Sequence, residues 1–169
     1  MNVRLEPVLP EQAPVLQNLM QFYIHDFSEF WAGTSKGDLR ADGRFQRYPL
    51  TSYWTDPNRS AWFIWRGDIL AGFALVNDHA HSGQAIDHSV AEFFVLRKHR
   101  GSGVAAQAAH LVFATRSGRW EVAVARKNSA ALRFWRRAVA ATPGATEIRE
   151  IDVRTPEWDG PIILFRSGG

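Results

Sequence analysis

Runs of apolar residues with two different periods divide the chain into an ordered series of elements. Val3 and Leu5 alternate with charged neighbours as a short first strand, and Pro10 and Pro14 bracket the start of a helix. Leu16, Leu19, Met20, Tyr23, Phe27, Phe30 and Trp31 then recur at threes and fours, an apolar stripe flanked by His25, Asp26 and Glu29. The pattern breaks over residues 33–43, where glycine, serine, lysine and aspartate gather. A short helix is expected between Phe45 and Trp54, ended by the Asp56-Pro57-Asn58 turn. Residues 60–65 and 69–76 are β-rich and joined across Arg66-Gly67-Asp68, which predicts a hairpin. A polar loop over 77–87 leads into a buried strand at 90–96. Ala108, Leu111 and Val112 return to helical spacing after Val104. Trp120, Val122 and Val124 alternate as another strand. Asn128-Ser129 opens a helix that carries Ala131, Phe134, Trp135, Ala138 and Val139 on one face until Pro143-Gly144 stops it. Residues 146–153 and 161–165 close the order as two strands across a loop containing Glu157 and Trp158.

This order is mixed α/β, and 169 residues suit one domain over 1–169 better than two. A hydrophobic fraction of 46% and a charged fraction of 22% describe a folded globular chain, not a disordered one. Seven Trp, three Tyr and eleven Phe make its core or its pockets heavily aromatic. The formal net charge of +3 is too small for a polycation that coats nucleic acid, and fits a local cationic site instead. The absence of cysteine removes disulfides, thiolate metal sites and a covalent acyl-cysteine mechanism together. No signal-peptide core and no uncharged run of bilayer length is present, so a cytoplasmic protein without a membrane partner is expected. His79, His81 and His88 share one polar stretch but lack a metal-ligand spacing, and are read as a surface loop with no metal.

Candidate chemistry concentrates at residues 97–105. There a basic, glycine-punctuated loop, Arg97-Lys98-His99-Arg100-Gly101-Ser102-Gly103, joins the strand at 90–96 to the helix opened by Val104 and Ala105. Glycines allow close backbone approach to an anion, and the free N–H groups of a helix start complement its charge. The same residues also read as an ordinary tight connection with solvated cations. No Lys-Ser or Lys-Thr follows the glycines, as a triphosphate loop requires, and Ala106 stands where a dinucleotide fingerprint has its third glycine.

Taken with the segment at 128–135, this loop resembles the GNAT superfamily of acyl-CoA-dependent N-acyltransferases. The family's loop pattern, Gln/Arg-x-x-Gly-x-Gly/Ala, aligns with Lys98-His99-Arg100-Gly101-Ser102-Gly103, with lysine at the first position. Its Asn-x-x-Ala-x-x-Phe-Tyr helix aligns with Asn128 to Trp135, with tryptophan in place of the final tyrosine. The resemblance implies a central, mostly antiparallel mixed sheet of six or seven strands flanked by about four helices. It implies acetyl-CoA as cosubstrate and an amine acceptor that is either a small molecule or a peptide. Backbone groups of Val95 and Leu96 would pair with the pantetheine arm, and a backbone N–H near Leu96 would polarise the thioester carbonyl. The N–H groups of Arg100, Gly101, Ser102, Gly103, Val104 and Ala105 would cradle the pyrophosphate beside the charges of Arg97, Lys98 and Arg100. Asn128 would contact the cofactor arm, cap its helix, or do both. Dimerisation is common in the family, and the apolar terminal strands offer one surface for a homodimer.

Acyl transfer to an amine needs an uncharged nucleophile, and deprotonating a lysine-like amine at neutral pH costs about 4–5 kcal/mol. Glu92, a carboxylate inside the apolar run Val90-Ala91-Glu92-Phe93-Phe94-Val95, is the candidate base; pairing with a nearby arginine is its structural alternative. With Trp135 unable to act as an acid, Tyr23, Tyr48, Tyr53 or water would protonate the thiolate. Two other functions compete with catalysis: a non-catalytic acyl-CoA-binding module, suggested by Trp135, and a nucleic-acid-binding module, suggested by the cationic loop.

Overall fold

The computed structural model describes residues 2–168. In chain order its elements are β1 (Val3–Pro7), α1 (Ala13–Ser28), α2 (Ser52–Thr55), β2 (Ser60–Arg66), β3 (Ile69–Asn77), β4 (His88–Val95), α3 (Val104–Ala114), β5 (Gly118–Ala123), α4 (Ser129–Ala140), β6 (Thr146–Arg154) and β7 (Asp159–Ser167). The strands form one seven-stranded sheet in the order β1-β2-β3-β4-β5-β7-β6. All neighbouring pairs are antiparallel except β4 with β5. This is the mixed, mostly antiparallel sheet with four helices that the sequence resemblance implied.

Opposite faces of the sheet bury separate cores. Leu16, Leu19 and Met20 of α1 pack with Phe63, Phe73, Leu75 and Phe94 on one face. On the other, Val112 and Phe113 of α3 and Trp135, Ala138 and Val139 of α4 pack over Ala74, Val90, Trp120, Val122 and Ile163. Each such fully buried large side chain contributes about 1.5–3 kcal/mol of transfer free energy. Period-2 alternation assigns the strand residues to these faces, and β4 breaks it once. Leu75 pairs with Glu92 while Val76 pairs with Val90, so Ala91 is an extra residue in the ladder. That bulge moves Glu92 from the face of Val90 to the face of Phe94, under α1.

Three expectations change. The helix expected between Phe45 and Trp54 is the single turn α2, because the preceding segment is held extended against α1. Gln21 Oε1 accepts from Phe45 N at 2.8 Å, Gln17 Nε2 donates to Tyr48 O at 2.7 Å, and Pro49 disfavours helical backbone at Tyr48. The first helix ends at Ser28, and Glu29–Trp31 form a 3-10 turn. The apolar residues of the last strand, offered as dimer surface, are interior: Ile162, Ile163, Leu164 and Phe165 are buried between β5 and β6. The outer strand β6 instead exposes Glu147, Arg149, Asp152 and Arg154, a charged edge that resists strand addition.

Gly72 sets the spacing of β3 against β4, since a methyl group there would overlap the Phe94 carbonyl oxygen. Gly72→Ala is expected to destabilise the fold by about 1–3 kcal/mol, as an overpacked site does, read as a lower urea midpoint at unchanged m-value.

Candidate active site

β4 and β5 pair only at His88↔Trp120 and Ser89↔Glu121, and then part. At the point of divergence the Glu121 side chain is fully buried and accepts hydrogen bonds from His81 N (2.7 Å) and Ser82 N (3.1 Å). It thereby pins the 77–87 loop beside the opening. Two cavities of about 440 and 410 Å³ lie along the parted strands and share Tyr23, Phe27, Phe93, Asn128, Ala131 and Trp135 in their walls.

The larger cavity meets the glycine loop. Gly101 and Ala105 line it together with Arg97, Arg100 and Val95. Gly103 adopts the left-handed conformation (φ 85°) that starts α3, and the first N–H groups of the helix have no intrahelical partner. Arg100 N is already used on Arg97 O (3.1 Å), so the cradle begins at Gly101. Ser102 Oγ donates to His99 O (2.7 Å) and braces the loop. Val104 contributes only backbone, its side chain being buried in the core, and Lys98 is exposed and borders neither cavity. The N–H of Leu96 donates to Ala71 O at 2.8 Å and is not free to polarise a carbonyl. Antiparallel alternation then turns the N–H of Val95 the other way, toward the parted edge, where the Val95 carbonyl also accepts from Arg100 Nε at 2.8 Å. Asn128 borders both cavities; its Oδ1 caps α4 by accepting from Ala131 N (3.1 Å).

Asp26, which flanks the apolar stripe of the first helix, sits among the loop cations. Its Oδ1 accepts from Arg97 (2.9 Å) and its Oδ2 from Arg100 (2.7 Å). Partial burial pushes the pKa of this carboxyl up, but the hydrogen bonds from Arg100 and Arg97 outweigh it and hold Asp26 below the ordinary range. Arg97 and Arg100 thus share a single negative charge. The contact joins residues 71 and 74 positions apart and has no local signature.

Glu92 lines the smaller cavity. No arginine pairs with it among the described residues; Tyr48 Oη donates to its Oε1 at 3.2 Å. Burial raises the Glu92 pKa, and hydrogen bonding from Tyr23 and Tyr48 and the charge of Lys36 only partly offset this. Burial also raises Tyr23 and Tyr48, reinforced by the Glu92 charge, so both phenols stay protonated as donors. Of the three tyrosines, Tyr23 borders both cavities, Tyr48 only the smaller, and Tyr53 neither. Trp135 is buried against Phe93 (5.0 Å) and Phe134 (4.9 Å) and walls both cavities with carbon. Among the described residues no three His, Asp or Glu side chains converge. His81 stacks instead on Trp158 at 4.5 Å, in the wall of the smaller cavity. Lys36, His81 and Trp158 come from three loops distant in sequence and meet at this cavity.

Parted parallel strands, a glycine loop at a helix start and the Glu92 carboxylate thus lie along two adjoining cavities. The chain belongs to the acetyltransferase (GNAT) family, whose model matches residues 16–139. Acyl transfer with acetyl-CoA as donor is the activity of that family. No curated protein matches the chain in sequence. An acetyltransferase from Thermus thermophilus has the same fold at 18% identity, with a TM-score of 0.64 over 98% of this chain and 96% of that one. The ribosomal-protein-S18-alanine N-acetyltransferase of Escherichia coli superposes at 10% identity and a TM-score of 0.54, covering 98% and 93%. A spermidine N-acetyltransferase chimera from Vibrio cholerae and its human counterpart does so at 10% and 0.57, covering 99% and 95%. No helix among the described residues is long and apolar enough to cross a membrane.

The Asp26 bridge yields a test of the anion site. Asp26→Asn frees Arg97 and Arg100 and is expected to tighten coenzyme A binding severalfold at low ionic strength, an advantage that shrinks as salt screens the loop. Calorimetric titration at two salt concentrations reads both effects.

Proposed function

We propose that this chain is an N-acetyltransferase that moves the acetyl group of acetyl-CoA directly to a primary amine while both are bound. The observation that carries this reading is Glu92, a half-buried carboxylate on the acceptor-side cavity, a short way along β4 from the Val95 N–H and the glycine loop. The residues present fit the cosubstrate: an unsatisfied run of N–H groups, two arginines and a backbone edge free of β5 lie along one cavity. When bound, acetyl-CoA supplies an activated acyl carbon, and its sulfur takes up one proton as the C–S bond gives way to C–N.

This chain's own residues account for the remainder. Gly101 to Ala105 and the arginines hold the phosphates, and the Val95 N–H takes the polarising role first assigned near Leu96. Glu92, raised toward neutrality by burial, accepts the amine proton and offsets the roughly 4–5 kcal/mol that deprotonation costs. Tyr23, which borders both cavities, is the phenol to which this reading gives the passing of a proton toward the cosubstrate side. A cytoplasmic setting, where acetyl-CoA and free amines meet, belongs to the same reading.

Trp135 favours a second reading, a module that binds acyl-CoA without turnover; robust transfer to any amine removes it. Asp26 weakens the nucleic-acid alternative by offsetting one of the positive charges it rests on.

Glu92→Gln is expected to lower kcat by about 10²–10⁴ with acetyl-CoA affinity intact, measured by coenzyme A release over an amine panel and by calorimetry. Unchanged turnover removes Glu92 from the mechanism. Tyr48→Phe deletes a hydrogen bond that favours ionised Glu92. The Glu92 pKa then rises further, and because the base works ionised, the acidic limb of kcat/KM moves to higher pH.

A further inference from the structure

The acceptor-side cavity carries a charge inventory that limits what fits it. Among the described residues lining it, only Glu92 and Lys36 bear fixed charge. His81 adds none at neutral pH: burial depresses its pKa, and neighbouring His79 depresses it further, with Glu121 acting in the opposite direction. A polyamine or aminoglycoside brings several ammonium groups. In this cavity one would meet Glu92, and the next would meet Lys36.

Lys36 is held where it is by the loop that carries it. Its backbone N–H bonds to Thr34 Oγ1 (3.2 Å), and its Nζ lies 4.7 Å from the centre of the Trp31 ring. The following Gly37 has φ +79° and packs so closely on Trp31 that a Cβ would fall 2.6 Å from the ring. Lys36 forms no ion pair with a carboxylate among the described residues. His81 Nδ1 and Trp158 Nε1, on two other residues that line the cavity, are buried without a hydrogen-bond partner. An indole N–H only donates, so the group it awaits is an acceptor. One cation, two buried ring nitrogens and a single carboxylate therefore line one cavity of about 410 Å³ walled by Phe27, Trp31, Phe93 and Trp158. That volume lies at the lower end of the range for small-ligand pockets, about 300–1,000 Å³.

We infer that the acceptor is an amine bearing its own carboxylate and an apolar body, in the class of the hydrophobic α-amino acids, and that Lys36 binds its carboxylate. The inference rests on the reading of this cavity as the acceptor side. Glu92 faces the ammonium end, Lys36 with the Trp158 indole takes the carboxylate, and the aromatic wall receives the side chain. Selectivity then arises from both attraction and repulsion, since a decarboxylated amine leaves Lys36 unpaired and a polyamine is repelled by it.

The test compares acetyl transfer to phenylalanine, tryptophan and leucine with transfer to their carboxamides, to 2-phenylethylamine and tryptamine, and to spermidine. The free acids are expected to exceed their amides and decarboxylated forms at least tenfold in kcat/KM. Lys36→Glu is expected to reverse that order, chiefly through KM. Preference of the wild-type protein for 2-phenylethylamine or spermidine overturns the inference and leaves the transferase reading standing. So does failure to acetylate or bind any of the amino acids while acetyl-CoA still binds. A protein that binds no acetyl-CoA overturns the transferase reading itself. Tryptophan-fluorescence titration with phenylalanine against 2-phenylethylamine then decides the Lys36 assignment independently.

Discussion

The divergence of two parallel strands is the constraint on which the site depends. A sheet normally satisfies the backbone of an inner strand on both edges, yet β4 has lost its partner on one side beyond Ser89. Unpaired N–H and C=O groups in a protein interior are costly, so the gap is stable only where something else meets them. Here the Arg100 side chain takes the Val95 carbonyl, and Glu121 anchors the 77–87 loop at the fork. The helices α3 and α4 pack on one face and α1 on the other, which keeps the gap from closing by hydrophobic collapse. The opening is thus built into the sheet and leaves one edge of β4 without a strand partner beyond Ser89.

Charge in this opening is arranged by burial as much as by residue type. The arginines at 97 and 100 are solvent-facing and share one carboxylate, so their mutual repulsion is relieved before any anion arrives. Glu92 has the opposite surroundings. It is enclosed by aromatic rings and two phenols, and its proton is held more tightly than that of an ordinary carboxylate. The two adjoining cavities therefore differ in charge, arginines lining one and Glu92 the other, and share Tyr23, Phe93 and Trp135 in their walls.

Much of this was legible in the chain itself. The strand at 90–96, the glycine loop and the Asn128 cap follow from period, glycine placement and capping chemistry, all of which are local. The family resemblance adds the order in which they stack. The contacts that complete the site are not local. Asp26 looks like any polar residue beside an apolar helical stripe, and its partnership with Arg97 and Arg100 exists only once α1 crosses the end of β4. Tyr48 was one of three equivalent phenols until the side chains of Gln17 and Gln21 tied its extended segment to α1.

Glu92 shows where the division falls. Its presence within an apolar run is a matter of sequence and already marks it as a carboxylate under desolvation. Which face it occupies is not, because the period of a strand is two and a single extra residue inverts it. Strict alternation from Val90 would place Glu92 beneath α3 and α4, among Trp120 and Phe113. The bulge at Ala91 turns it toward Tyr23 and Tyr48 instead. Local pattern sufficed to say which side chains have chemistry to offer. Only the pairing register of β3 with β4, and the parting of β4 from β5, decided which of them meet.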